Sequence, residues 1–485
     1  MNWTLVQAVT SRRNAEWGTH FTTDGRVRVA LATPTRYFVG MSSLGFQAVL
    51  AMLNRFPDVS CERTFLPDDP GEYRRTKTPL FTYESLSPVS SFDMVAISIA
   101  YELELPGLLE VLDLSRIPVL REDRGVHHPL VIGGGPLTFA NPLPLAPFLD
   151  AVVMGEAETV LPPLMNVIRH HGGRRAEVLE ALASVPGIYV PGHHGSDLPP
   201  LAVAPRDRLP AVSCRVTEET DLAGMFLVEA ARGCSRACAY CVMRRRTGQG
   251  MRMVPSSRIL KTIPPQARRV GLVGAAVTDH PELEQILQVL VDRGLGVGVS
   301  SLRADRLNPT LVALLRRAGY RQLTIAADGA SERLRSQLGR RLKGDHLVRA
   351  AEMAAEAGMG AIKVYAMLGV PGETREDLDE LTRLIKRMAR TIPVVLAISF
   401  FVPKRGTPLW DAPFPDIKDL RNRLKYVAGR LGSRVTLRRP SARWAWVEYQ
   451  VARGTPKTGL AAHQAWRNGA GFSAWRRALA NTEDR

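Results

Sequence analysis

Long apolar runs are missing from this chain. No stretch of its 485 residues approaches the ~20 apolar residues that a membrane-spanning helix needs. The opening "MNWTLVQAVTSRRNAEWGTH" lacks the basic-then-apolar order of a secretion signal, so a cytoplasmic protein with no membrane span is expected. Cysteine is scarce, at 5 residues, which excludes a disulfide framework and suits a reducing compartment. Acidic residues are in deficit: 47 Asp and Glu face 64 Lys and Arg, for a net charge of +17. The imbalance is concentrated, with 17 basic against 6 acidic residues from position 404 onward. Such a face can steer an anionic partner, whether nucleic acid, a phosphorylated metabolite or a redox donor. It also fits a plain solvated surface in an Arg-rich protein.

What is present is an alternation of short β-branched runs with helical segments, the pattern of α/β architecture. "VRVALATP", "FDMVAISIA", "PLVIGGGP" and "LDAVVMGEAE" read as buried strands of a parallel sheet, with helices such as "SLGFQAVLAMLN" between them. A proline-rich stretch without periodicity, "VPGHHGSDLPPLAVAPRDRLPAVSC", marks a linker. Six further β/α repeats follow, beginning at "GMFLVEAARGC" and ending at "VVLAISFFVPK". Six parallel strands make a partial barrel, whose chemistry gathers at the carboxyl ends of its strands. Trp444, Trp446, Trp466 and Trp475 fall in the last stretch, where aromatics of a small appended domain form its core.

Three of the five cysteines sit within eight positions, as C-x3-C-x2-C: Cys234, Cys238 and Cys241. A structural zinc site wants four protein ligands, so three thiols fit it poorly. Three thiolates do fit a cubane iron–sulfur cluster with one iron left open to an external ligand. Gly233 lets the loop wrap, and Arg232 and Arg236 bring positive charge to an anionic centre. The trio follows the first barrel strand, where the strand-end rule places a site.

"RGCSRACAYC" in that position resembles the radical S-adenosylmethionine (SAM) superfamily. The resemblance implies a [4Fe–4S] cluster on Cys234, Cys238 and Cys241, with SAM chelated to the open iron and cleaved to a 5′-deoxyadenosyl radical. It implies that Tyr240 offers its backbone carbonyl to the adenine. In "GLVGAAVTD", Gly274, Ala275 and Ala276 stand where the family binds the methionine amino group, although the usual Gly-Gly-Glu is absent. Ser301 and Arg303 of "SSLRAD" would face the ribose and carboxylate, and Asp328 would add a polar contact. Gly369 of "MLGVPGE" would lie under the adenine.

"VIGGGPLTFANPLPLAPFLDAVVMGEAETVLPPLM" resembles the cobalamin-binding-type domain that precedes the barrel in many radical SAM proteins. Its glycines follow a late strand, whereas a dinucleotide fingerprint follows the first. The resemblance implies cobalamin at a rim made by Gly133, Gly134, Gly135 and Gly155. The Asp-x-His-x-x-Gly motif that supplies a lower-axial histidine is absent from the chain. With "FFVPKRGTPLW" and "RWAWVEYQVARGTPKTGLAAHQAW", the likeness extends to a largely uncharacterised family of B12-binding-domain radical SAM proteins.

The expected fold is therefore α/β. After a leader of residues 1–24 comes a Rossmann-like cobalamin-binding-type domain (25–195) and a linker (196–220). A partial (β/α)6 radical SAM barrel (221–404) and a small basic, Trp-rich C-terminal extension (405–485) complete it. The expected function is cleavage of SAM with cobalamin-dependent methyl transfer to an unactivated carbon, or its rearrangement. A flavodoxin, ferredoxin or reductase would be the electron donor, and the substrate stays open among small molecules, peptides and nucleic acids. Two other readings stand beside it: a tRNA methylthiotransferase, whose second cluster needs three more cysteines where only Cys61 and Cys214 remain, and a non-catalytic nucleic-acid-binding protein.

Overall fold

The computed structural model of the chain describes residues 2–170, 174–243 and 250–483. They form two compact units, residues 1–225 with 450–485, and residues 226–449. No described helix is long and apolar enough to cross a membrane.

The first unit is built on a six-stranded sheet. Its strands are β2 (Val27–Thr33), β3 (Val59–Phe65), β4 (Met94–Ser98), β5 (Leu130–Gly134), β6 (Ala151–Val153) and β7 (Ile188–Tyr189), in the order β3-β2-β4-β5-β6-β7. Every pairing is parallel except β6 with β7. β3 is buried along its whole length, as a strand covered on both faces must be. The order reverses between β2 and β4. Right-handed crossovers in the two directions put the helices Leu44–Leu53 and Leu105–Leu114 on opposite faces of the sheet. The carboxyl ends of the two strands where the order reverses are the place at which open α/β sheets bind ligands.

Residues 1–24, expected as a polar leader, are part of this unit. Trp3–Asn14 is a helix, and β1 (Trp17–Gly18) pairs antiparallel with β8 (Arg215–Val216). The reason is a long-range ion pair that no local pattern encodes. Buried Arg63 of β3 reaches Glu16 at 2.8 Å and Glu84 at 2.7 Å. Tyr37 also donates to Glu16, at 2.7 Å.

Residues 405–485, expected as one extension, are shared between the units. The helix Pro456–Arg467 packs on Leu143–Leu145 and on the helix Leu105–Leu114. Gly459 approaches Pro144 O so closely that no side chain fits there. Asn141 Nδ2 donates to Ala452 O at 3.0 Å and Gly454 O at 2.7 Å, and Trp475 is wholly buried. Ala461, Ala462 and Ala465 give that helix a small apolar face, too little to form a core alone.

The second unit carries all six expected strands. They are β9 (Met225–Glu229), β12 (Arg269–Val273), β13 (Gly296–Val299), β14 (Gln322–Asp328), β15 (Ala361–Leu368) and β16 (Val394–Phe400). A seventh, β17 (Val435–Arg438), pairs parallel with β16. It lies beyond the expected barrel because four residues, "VTLR", carry too short an alternation to be read. The hydrogen-bonded ladders fall into two sheets, β13-β12-β9 and β14-β15-β16-β17. A two-stranded ladder of β10 (Ala231–Arg232) and β11 (Arg252–Met253) closes the loop that holds the cysteine trio.

Candidate active site

β9 ends at Glu229. Ala230 N then donates to Val273 O at 2.8 Å and Val254 N to Ala230 O at 3.0 Å, which anchors the loop against β12. Gly233 has φ +81°, and a Cβ there would collide with Gly250 O, so only glycine permits the turn. The loop is then tied on three sides. Ala239 N donates to Leu338 O at 2.9 Å, Ser235 Oγ to Asp279, and Arg236 pairs with Asp305 at 2.6 Å.

Cys238 is buried, and Cys234 and Cys241 are half-buried; none forms a disulfide. Burial pushes the Cys238 and Cys241 thiols up, and Cys234 adds to both shifts by its charge. The trio therefore shares one electrostatic environment. Arg340 opposes the rise at Cys238 and pairs with Asp328 at 2.6 Å. Burial foremost, then the charge of Asp328, drives the Tyr240 phenol far above its usual range. The structure thus brings Cys234, Cys238, Cys241, Tyr240 and Asp328 together. Asp328 itself has φ +65° at a bulge, where β14 shifts register against β15.

The arginines differ from expectation. Arg232 forms a fork with Glu229, at 2.6 and 2.8 Å, and Arg236 is spent on Asp305, so neither charge stands free beside the thiols. Arg303, expected to face a ligand carboxylate, is buried between Asp279 and Asp305, the latter at 2.6 Å. It acts as a strut joining the loops after β12 and β13 to the cysteine loop.

Gly274 lies against the cysteine loop, where a Cβ would come 2.8 Å from Ala231 O. Gly274 N donates to Ser300 Oγ at 3.0 Å, and Ser301 Oγ donates to Ala275 O at 2.9 Å. Ala275 is exposed and Ala276 buried, so the two present different surfaces to a ligand. Gly369, at φ +83°, donates to Glu373 at 3.1 Å, and a Cβ there would come 2.7 Å from Leu420. Sequence reasoning missed Asp279, Asp305, Ser300 and Arg340. The first three follow barrel strands, a position that could have flagged them; Arg340 lies about a hundred residues from the loop it serves and carries no local signal.

In the first unit, Gly133, Gly134 and Gly135 close β5, and Gly155 follows β6. Three of the four are glycine because the domain packs on itself. A Cβ on Gly133 would strike Leu149, on Gly155 it would strike Ala202, and on Gly135 it would lie 2.7 Å from Ile99 O. Only at Gly134 is there room, with Val153 3.6 Å away. The carboxyl edge carries another feature. Phe38 and Val39 after β2 are 47% and 49% exposed, and Tyr101 after β4 is 47% exposed. Three large apolar side chains thus stand in solvent at the point where strand order reverses.

The cysteine trio at the end of β9, on a parallel sheet, meets its decisive comparison in sequence. The family model of the radical SAM superfamily matches residues 228–385, and that of the N-terminal region of radical SAM proteins matches residues 45–191. The chain belongs to the radical SAM superfamily. A relative of this radical SAM protein, an uncharacterised protein of Methanocaldococcus jannaschii, is 26% identical over 410 residues, 82% of each chain. The ribosomal protein uS12 methylthiotransferase RimO of Desulfosudis oleivorans is 24% identical over 177 residues, 33% of this chain and 40% of that one. Among solved structures, the fold is similar to the radical SAM methyltransferase TsrM of Kitasatospora setae, solved with cobalamin and a [4Fe–4S] cluster. The TM-score is 0.59 at 13% identity, covering 94% of this chain and all of that one. It is also similar to the cobalamin-dependent radical SAM enzyme OxsB, with TM-score 0.52 at 14% identity over 83% of this chain and 56% of that one.

The residues of the radical SAM loop fit a cubane. Among the described residues no three His, Cys, Asp or Glu side chains converge on a single metal ion. A cubane asks for something wider, since each thiolate ligates a different iron. The spare thiols do not enlarge the set. Cys61 and Cys214 are both buried in the first unit; burial pushes Cys61 well above the usual thiol range, with Cys214 adding to the rise, and pushes Cys214 to about 11. Changing both to Ser should leave the iron content of the anaerobically reconstituted protein unchanged at about four per chain. A loss of half the iron would restore the methylthiotransferase reading.

Proposed function

We propose that this radical SAM enzyme is cobalamin-dependent and transfers a methyl group to an unactivated carbon. The observation that carries the reading is the reversal of strand order between β2 and β4, with Phe38, Val39 and Tyr101 exposed just past the carboxyl ends of those strands. Ligands of open α/β sheets bind at that place, and a broad, largely apolar macrocycle suits an apolar rim. The likeness of fold to TsrM, whose structure holds cobalamin, supports it.

Cys234, Cys238 and Cys241 would hold the cluster. Cluster and SAM together supply a radical generator, and cobalamin a transferable methyl group. The chain's own residues supply position. The Ser235–Asp279–Arg303–Asp305–Arg236 chain of polar contacts fixes the cysteine loop to the ends of β12 and β13. Arg340 and Asp328 hold the opposite side, and the ladder of β10 and β11 closes the loop at its base. The electron would come from an external flavodoxin, ferredoxin or reductase.

The test is anaerobic titration with hydroxocobalamin, with corrin and iron counted per chain. Wild-type protein should take up one corrin. Gly134→Trp should abolish corrin uptake and leave iron unchanged, because Gly134 is the one rim glycine where a Cβ meets only an ordinary contact, Val153 at 3.6 Å, instead of a clash. No histidine occurs in the segments 34–43, 99–104, 135–142 or 154–156 that follow β2, β4, β5 and β6. The reduced, paramagnetic corrin should therefore show no imidazole nitrogen coupling. A wild-type protein that binds no corrin ends the methyl-transfer reading.

A further inference from the structure

The sheet β14-β15-β16-β17 has two faces of opposite character. On β15, Ile362, Val364, Ala366 and Leu368 are buried under the helices Gly344–Glu356 and Ile417–Ala428. The alternate residues, Lys363, Tyr365 and Met367, point to the other face, the interior of the open barrel. The register continues that face across the sheet. Tyr365 pairs with Ala326 on one side and with Ala397 on the other, and Ala397 pairs with Arg438. Lys363 aligns with Val395 and Thr436, and Met367 with Ser399. Beyond Ala326, past the bulge, stands Asp328, whose carboxylate lies beside Tyr240 and Arg340 of the cysteine-loop environment.

This interior is open. Tyr365 is 44% exposed, in mid-strand, flanked by the small side chains of Ala326 and Ala397. Ser399, Thr436 and Arg438 are exposed too. The face is also positive. Within these four strands Asp328 is the single carboxylate, and it is engaged by Arg340. Lys363 Nζ donates to the Tyr365 hydroxyl at 2.6 Å and lies 4.5 Å from the ring centroid. That contact leaves the phenolic hydrogen free to donate outward. Arg438 has no ion-pair partner among the described residues. Two strand spacings across and two residues along separate Lys363 from Arg438, ~12 Å between Cα atoms. Side chains of that length converge on one group between them.

We propose that this interior face is the substrate site and that the substrate is a small molecule bearing an oxyanion, a carboxylate or a phosphate ester, held by Lys363 and Arg438 beside Tyr365. The substrate role rests on the radical SAM reading, and the anion preference rests on the face alone. Ser399 lies further along the strand toward the carboxyl ends, where the cysteine loop sits, and gives a second hydrogen-bonding group on the path between anion and reacting carbon.

The test is calorimetric titration of the cluster-loaded full chain with phenyl phosphate, benzoate, benzyl alcohol and benzylamine. One or both anions should bind at least about tenfold tighter than the alcohol, the effect of a hydrogen bond to a charged group. Which anion is favoured tells phosphate from carboxylate. Lys363→Met and Arg438→Leu remove the two charges while keeping an apolar side chain at each position, and both lie outside the cysteine loop. Each should weaken the favoured anion by about tenfold, and the pair should erase the preference over the alcohol. Equal binding of all four probes, preference for benzylamine, no binding of either anion, or a preference that survives the double variant overturns the proposal. Iron and SAM cleavage are measured on the same samples. Their loss in wild type would sink the radical reading while leaving the anion result standing, so the two failures are distinct.

Discussion

Replacing Cys234, Cys238 and Cys241 together with Ala should yield a folded protein with no brown colour, no iron and no SAM cleavage. The expected loss is about four irons per chain, the content of one cubane, because each thiolate holds its own iron and nothing nearby substitutes. The fold should persist because the loop's anchors are independent of the thiols. The ladder of β10 and β11, the Ala239–Leu338 hydrogen bond and the Arg236–Asp305 pair all remain. Iron assay, visible absorbance and chromatographic detection of 5′-deoxyadenosine decide the matter, and iron retained by the triple variant would remove the cluster assignment.

Arg63→Met should cost the first unit about 3–5 kcal/mol, the usual effect of removing one partner from a buried ion pair. Burial works against the Arg63 charge, yet Glu84 and Glu16 outweigh it and hold the guanidinium's pKa well above its usual range. Methionine leaves Glu84 in the interior without Arg63, and Glu16 with only the longer Arg215 contact at 3.9 Å. The damage should surface first in the Trp3–Asn14 helix and β1, since Glu16 joins them to β3. Hydrogen exchange should therefore rise over residues 3–18 before the sheet itself opens. A further change of Glu16 and Glu84 to Gln should recover part of the loss. If Arg63→Met leaves exchange in that segment unchanged, the ion pair is not what secures it.

The parts of this protein that were legible in its sequence are those with local causes. Six barrel strands announced themselves because each is a short apolar run with a helix behind it. The cysteine trio announced itself by spacing. What escaped depends on partners distant in sequence. Nothing near Glu16 signals Arg63, so residues 1–24 looked like a loose leader. Arg303 was read for its charge, and only the structure places Asp279 and Asp305 on either side of it. The rim glycines were read as making way for a cofactor. At Gly133, Gly135 and Gly155 the neighbour that requires glycine is the domain's own Leu149, Ile99 or Ala202. The apolar trio of Phe38, Val39 and Tyr101 was invisible for a different reason: exposure of a single hydrophobic residue is a fact about the folded surface, and periodicity gives no hint of it.

The division of the chain has a consequence for its biosynthesis. Residues 226–449 are an insertion within the first unit, so a growing polypeptide presents the six-stranded sheet long before the helix Pro456–Arg467 that covers Leu143–Leu145. Until that helix emerges, apolar surface on the sheet's flank has no cover. Bringing Asn141 to Ala452 and Gly454 closes a loop of more than 300 residues, and the entropy of that closure grows with the logarithm of loop length. A barrel that folds first shortens the free chain between those ends. The residues of the barrel are therefore all synthesised before the first unit can be completed.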